Sequence, residues 1–228
     1  MIKRVFHIIA ILMLTASATA QVEQPRNILE IGVAGGLNMS QMDMQPKIGQ
    51  KYLNGLNGGI SIRYTSEKYF SMICAAQLEI NFAQRGWKED FDDETGNGYS
   101  HTLNYIEVPL LAHLSWGKEE HGLQFFVNMG PQFGFFISES EEYTGSWLPE
   151  ERPQSIRPIY GKTVENKFDY GIAGGLGLEL KSGIGNFILE GRYYYGLSDI
   201  YGNSKIDDFG RSANQTISIR LGYSVRIW

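Results

Sequence analysis

The sequence predicts an all-β chain: eight antiparallel strands closed into an up-and-down transmembrane β-barrel. Three observations carry this. Side chains alternate in polarity with period two over segments of about a dozen residues, well beyond the usual globular strand of about 5–6. The two parities differ in kind, one apolar and nearly free of charge, the other polar, charged and glycine-rich. Long and short connections alternate, as in bacterial outer-membrane barrels, where short turns face the periplasm and long loops the outside.

The stretch Leu103–Trp116 sets the pattern. Asn104, Ile106, Val108, Leu110, Ala112, Leu114 and Trp116 share one parity; Leu103, Tyr105, Glu107, Pro109, Leu111, His113 and Ser115 share the other. Before it, the alternation predicts strands at about 29–39, 56–65 and 69–85, with Leu29, Ile31, Val33, then Ile60, Ile62, then Phe70, Leu78, Ile80 on the apolar side. Glu30, Arg63, Glu79 and Arg85 take the opposite parity. After it come strands at about 123–137, 167–181 and 186–197, and a last one running through Ile217 to Ile227. Their inward sets include Gln124, Asn128, Asp169, Glu179, Glu190, Arg192 and Arg220. The long loops are 40–55, 86–101, 138–166 and 198–213; the short turns lie near 66–68, 117–122 and 182–185. Tyr64, Tyr69, Trp116, Phe187 and Tyr223 are expected as an inner aromatic girdle, and Phe82, Trp87, Phe135, Phe168, Tyr193 and Tyr195 as an outer one.

Lys3 and Arg4, an apolar run from Val5 to Leu14 and the small residues Ala18-Thr19-Ala20 read as a signal peptide over residues 1–20, leaving 21–228 as the barrel domain. Its removal takes away two cations and moves the formal charge from −5 to −7. An acidic exported chain is unsuited to nucleic acid, which demands a basic surface. Cys74 is the single cysteine, so there is no internal disulfide framework. It falls on the apolar parity and reads as a small hydrophobe.

The same alternation fits a soluble lipocalin-like barrel with the apolar parity inward. Lipid outside is favoured because the apolar parity carries almost no charge and the other is rich in glycine, which a narrow lumen needs. The strands also exceed the 9–11 residues a tilted span requires. An open edge in lipid would leave backbone groups unpaired at several kcal/mol each, so the sheet must close.

An eight-stranded lumen is just wide enough to be filled by side chains. Arg63, Glu79, Arg85, Glu107, Glu190, Arg192 and Arg220 are therefore expected to form an ion network that plugs the pore. Glu79 and Glu107 as an acid/base pair is the catalytic alternative. His113 also points inward and reads as a polar filler. The repeated GVAGGL and GIAGGL stretches lack the G-x-G-x-x-G spacing and a following helix, so no dinucleotide site is expected. The acidic segment Glu89–Glu94 does not match a calcium loop and reads as a solvated loop. The loop Tyr143–Pro158 holds Tyr143 and Trp147, which either contact a partner or fold back over the barrel mouth.

At Tyr105-Ile106-Glu107-Val108-Pro109-Leu110-Leu111, and again at Leu189-Glu190-Gly191-Arg192-Tyr193 and Tyr195-Gly196-Leu197-Ser198-Asp199-Ile200, the chain resembles the PorT-like outer-membrane β-barrel family of Bacteroidota. The resemblance covers roughly residues 25–228 and implies an eight-stranded barrel in the outer membrane. It also implies a link to type IX protein secretion and gliding for the founding type, and no single activity. Trp228 departs from the usual end, being out of step with Ile227, Val225 and Tyr223. The expectation is thus a monomeric, non-enzymatic barrel in the cell outer membrane with a filled lumen and no cofactor. Its partners would be membrane lipid and envelope or secretion proteins met through the outer loops. An outer-membrane enzyme and a narrow pore are the rivals.

Overall fold

The computed structural model describes residues 25–91, 96–154, 156–203 and 209–228. The expected signal peptide and residues 92–94 of the acidic segment lie outside the described residues. The strands are β1 (Pro25–Gln45), β2 (Leu53–Tyr69), β3 (Met72–Glu89), β4 (Gly98–Gly117), β5 (Gly122–Thr144), β6 (Phe168–Ser182), β7 (Gly185–Gly196) and β8 (Arg211–Arg226). A two-residue strand, Gln50–Lys51, lies in the first outer loop against Glu89 and Lys88. Each main strand pairs antiparallel with the next, and β8 pairs with β1, so eight strands close a ring.

The ring is sheared. Paired residues lead from Leu29 through Tyr64, Ala76, Ala112, Met129, Gly174, Tyr193 and Ile217 back to Met39, ten residues further along β1. Such stagger goes with strands tilted about 35–45° and an interior that side chains can fill. Two interruptions in the ladder have a chemical cause. The β3–β4 pairing skips from Leu78–Leu110 to Asn81–Glu107, across Pro109. The β4–β5 pairing skips from Pro109–Gln132 to Ala112–Met129, across Pro131. Proline has no N–H to give to a ladder.

The apolar parity faces out. Leu78, Leu110, Phe125 and Ile219 are exposed, whereas Glu79, Glu107 and Arg192 are buried. Without lipid this arrangement would set a belt of bare hydrocarbon in water, which soluble proteins avoid. Phe70 is a correction: it is a turn residue with φ 55°, not a lipid-facing strand residue. The first short turn is accordingly Phe70-Ser71 rather than 66–68, because β2 stays paired with β3 as far as Tyr69–Met72.

The outer strand ends run past the expected limits: β1 to Gln45, β3 to Glu89, β4 from Gly98 and β5 to Thr144. The reason is a change of solvent along the barrel axis. Above the lipid the parity persists but its polarity inverts. Met42, Met44, Trp87, Tyr99 and Leu103 point inward and are buried, while Asp43, Lys88, Ser100 and Thr102 lie on the outer parity. Trp87 therefore belongs to an interior cluster and not to the outer girdle, at 0% exposure. Rules based on an apolar lipid face stop where water replaces lipid on the outer side and an apolar cluster fills the inner one. In β5 the ladder moves from Tyr105–Phe136 to Asn104–Ser138, leaving Ile137 as an extra residue. This bulge turns Glu139, Glu141 and Tyr143 to the inner side.

Candidate functional site: the charged lumen and its outer cap

The inward side chains stack in three tiers. Nearest the periplasm, Arg63 is the hub. Its guanidinium pairs with Glu179 at 2.6 Å and Glu30 at 3.4 Å, and its Nε donates to Gln77 Oε1 at 2.8 Å. Lys181 lies 3.4 Å from both carboxylates, and Asn186 Nδ2 donates to Glu30 at 2.7 Å.

The middle tier is built on Glu79. Arg192 donates to both its oxygens, at 2.9 and 2.7 Å. Arg220, Asn81 and Gln77 donate to them as well, at 2.8, 2.8 and 2.5 Å. Arg192 also binds Glu190 at 2.9 and 3.0 Å, and Asn128 Nδ2 donates to Glu190 at 3.0 Å. Two carboxylates thus face two guanidiniums, with amides satisfying remaining lone pairs. That is the arrangement that makes buried charge tolerable.

The upper tier centres on Arg85. It pairs with Glu107 and, at 3.0 Å, with Asp169. Its guanidinium carbon lies 4.1 Å from the Tyr194 ring centre and 5.5 Å from that of Tyr105. Gln132 Nε2 donates to Glu107 at 3.0 Å and Asn214 Nδ2 to Asp169 at 3.1 Å. Between the tiers lie two cavities of about 20 Å³ each, one flanked by Glu79 and Glu190, the other by Arg85, Arg192 and Arg220. Each is large enough for about one water.

All seven residues singled out in the sequence point into the lumen. The pairing separates them: Arg63 stands apart from Arg192 and Arg220, and Glu79 and Glu107 occupy different tiers, the first held by Arg192 and Arg220 and the second by Arg85. An acid/base pair of those two carboxylates is therefore not formed. Glu30, Asp169, Glu179 and Lys181 complete the network and were not singled out. Parity had placed the three acids inward, but their partners sit several strands away and follow only from the shear. His113 Nδ1 lies 2.8 Å from Asn128 Oδ1, and its ring stacks on Phe126 with centres 4.9 Å apart. Cys74 is half-buried on the lipid side.

Above the lumen the outer loops close over an apolar cluster. Its buried part includes Met42, Met44, Trp87, Phe91, Tyr99, Leu103, Ile159, Ile200, Tyr201 and Phe209. Trp147 folds back onto it, 4.8 Å from Phe91 and 5.1 Å from Tyr160 by ring centres. Within the acidic segment, Glu89 is buried and accepts bonds from Arg152 (2.5 Å) and Tyr160 (2.7 Å), so it is a structural anchor rather than a solvated residue. Burial and the bond to Glu89 push the Tyr160 phenol up. His101 Nε2 lies 2.9 Å from Glu139, and Val164 N–H donates to the same carboxylate at 3.1 Å, tying the loop before β6 to the wall. At the periplasmic end Glu119 pairs with Arg26 at 2.8 Å and Lys68 at 2.7 Å. The bond from Lys68 holds its carboxyl below the ordinary range. The C-terminal residues continue past β8: Ile227 N–H donates to Leu29 O at 2.8 Å, and Leu29 N–H to Trp228 O at 2.8 Å.

A closed eight-stranded ring, apolar outside and ionic within, defines a transmembrane β-barrel. The family model described as outer membrane protein beta-barrel domain matches residues 19–202, and the chain belongs to that family. Its place is the outer membrane, in contact with the lipid bilayer. Among solved structures the chain is similar to Ail, the attachment invasion locus protein of Yersinia pestis, at 17% identity and TM-score 0.37, covering 86% of this chain and 99% of that one. It is similar to OprG from Pseudomonas aeruginosa at 13% identity and TM-score 0.41, covering 88% and 98%. It is also similar to Neisserial surface protein A at 9% identity and TM-score 0.42, covering 86% and 96%. No curated protein matches the chain.

Proposed function

We propose that this protein is a plugged, monomeric, non-enzymatic barrel that serves as an interaction platform, holding a folded outer cap at the cell surface. The observation that carries the reading is the lumen. Three tiers of buried ion pairs fill it, and the two cavities between them are of about 20 Å³ each. A solute path would require breaking several paired charges in a low-dielectric interior. The lumen acids are each held by an arginine, and His113 bonds to an asparagine and no acid. The resemblance to the PorT-like family points to a role as an accessory to protein secretion.

The test is planar-bilayer recording on the purified full chain. The expected result is no steady conductance in the wild type, and discrete channels in Glu79→Ala/Arg192→Ala/Arg220→Ala, which removes the middle tier. Steady wild-type channels of defined size would make it a pore and overturn the proposal. Lipid or peptide turnover abolished by Glu107→Gln or His113→Ala would overturn the non-enzymatic part.

A further inference from the structure

The apolar belt has a polar upper rim on five strands. Above its last outward hydrophobic side chain, each of β1 to β4 and β8 carries an amide: Gln41 above Met39, Asn54 above Leu56, Gln84 above Phe82, Asn104 above Ile106 and Gln215 above Ile217. With the ten-residue stagger shared over the eight strands, these amides lie at one level to within about two residues. They bond to one another and to the wall. Gln41 Nε2 donates to Gln215 Oε1 at 3.1 Å, Gln84 Oε1 accepts from Leu56 N–H at 3.1 Å, and Asn104 Nδ2 donates to Ser138 Oγ at 3.0 Å.

β5, β6 and β7 break this rim. At the level of the amides they carry Phe135, Phe168 and Leu197, and Ile137 stands above Phe135. These four side chains are between 44% and 52% exposed. Leu197 follows β7, and its N–H bonds Tyr170 O at 2.9 Å, which keeps it in the wall. The hydrocarbon face therefore climbs about three residues higher here than on the other five strands, or about 7 Å along the axis at about 3.3 Å per residue and a tilt of about 40°. Its lower edge does not climb with it: Leu123, Leu180 and Phe187 stay level with Trp116 and Val225 to within about three residues. Tilting the whole barrel would raise both edges together, so a tilt does not even out the belt.

The raised surface is continuous with the lipid face. Ring centres lie 6.2 Å apart for Phe133–Phe168, 5.5 Å for Phe135–Phe168 and 6.1 Å for Phe168–Tyr170, so the aromatics form one surface rising from the belt. Its size selects what covers it. Aromatic side chains offer about 150–250 Å² each and aliphatic ones less, so the four at half exposure present about 300–400 Å². A specific protein interface takes about 800 Å² from each partner. Lipid has no such minimum, and a bilayer meets excess apolar height by thickening locally. We infer that acyl chains of the outer leaflet cover Phe135, Ile137, Phe168 and Leu197, so that the bilayer stands higher against β5–β7 than around the rest of the ring. The ligand this surface takes is a long, extended acyl chain.

The experiment uses the full chain with Cys74→Ala in phospholipid nanodiscs and a nitroxide label on a single introduced cysteine. Oxygen partitions into hydrocarbon and a neutral nickel chelate into water, so relaxation of the label by each gives its depth. Labels at Ile137→Cys and Leu197→Cys should favour oxygen, as one at Ile217→Cys does. Labels at Gln41→Cys and Asn104→Cys should favour the chelate. Phe168→Cys reads the same surface if Ile137→Cys does not fold. Ile137→Gln/Phe168→Asn extends the amide rim, and the label at Leu197→Cys should then shift about 5–7 Å toward water. Chelate access at Ile137 equal to that at Gln41 would overturn the inference, and so would an unmoved label at Leu197 in the rim variant. A label at Ile137 shielded from both reagents would also overturn it, since protein, from a second copy or an outer loop, would then be the cover. The lumen takes no part, so a conducting barrel would leave this result standing.

Discussion

The sharpest test of the lumen is Glu79→Gln. The wild-type carboxylate accepts five hydrogen bonds, from Gln77, Asn81, Arg220 and twice from Arg192. The amide keeps the shape but removes the charge and turns an N–H toward a guanidinium N–H. Arg192 and Arg220 would then share Glu190, which already lies 3.8 Å from Arg220. Removing one partner of a buried pair costs about 3–5 kcal/mol, most of it from the charge left uncompensated. Glu79→Gln is therefore expected to lose about 3–5 kcal/mol in urea unfolding from lipid vesicles, followed by tryptophan fluorescence. Arg220→Met added to it restores the balance of charge. The double variant should recover part of the loss, with a coupling of about 1–3 kcal/mol. A loss below about 1 kcal/mol for Glu79→Gln, or strict additivity in the double variant, would refute the claim that these charges act as one unit.

Three further outcomes follow from other parts of the molecule. Gly171→Val would drive a Cβ into the Tyr195 carbonyl oxygen and within 2.8 Å of the Tyr194 ring, which covers Arg85, and should cost about 1–3 kcal/mol or more by overpacking; Gly174→Ala, with only the Asn128 carbonyl oxygen at 4.0 Å near it on the lipid side, should be silent in the same unfolding assay. Trp87→Ala should cost the cap about 3–5 kcal/mol and appear as faster protease nicking in 145–167, with the barrel itself intact on a gel. The depressed carboxyl of Glu119 places its stabilising contacts with Lys68 and Arg26 fully in effect above the ordinary glutamate range, about pH 4.3, and loses them as pH falls through its lower folded value; hydrogen exchange near Asn27 should rise under acid in the wild type and show no such step in Glu119→Gln.

Parity was legible wherever one side met lipid. The stretch Leu103–Trp116 shows both the success and its boundary. Ile106, Val108 and Leu110 announced a lipid face, and Glu107, of the other parity, lies buried in the lumen. Leu103 and Tyr105 share the inward parity of Glu107, yet they are apolar, because there the lumen gives way to the cap. Trp87 was placed in the outer girdle for the same reason: an aromatic near a strand end was taken as lipid-facing, although its odd number puts it with Arg85. Ion-pair partners were less legible. Arg63 and Glu179 lie 116 residues apart and on strands that are not neighbours, and only the ten-residue shear brings them to 2.6 Å. Sequence periodicity fixes which side of its own strand a residue takes. It carries no information on height relative to a strand across the barrel.

The ionic lumen also answers a constraint that stability alone would not impose. Buried ion pairs are often no better than well-packed hydrocarbon of equal volume. An apolar filling would, however, make each strand apolar on both parities. β5 between Leu123 and Ile137, with Gln124, Asn128 and Gln132 replaced by leucines, would approach the continuous apolar length of about 18 residues that is read as a membrane helix. A chain bound for the outer membrane has to avoid that reading while keeping a lipid face. Polar residues on alternate positions achieve this, and inside a closed barrel those residues must then be paired or neutral. The three tiers are the solution: arginines supply several fixed donors per side chain, amides fill the remaining lone pairs, and inward glycines such as Gly175, beside Glu190, leave the space. The test is a charge-free middle tier. Glu79→Leu/Arg192→Leu/Arg220→Met/Glu190→Leu should refold from urea into vesicles about as well as the wild type, and should fail to accumulate in the outer membrane of the cell. Normal accumulation in cells would show that the charges are there for the folded barrel alone.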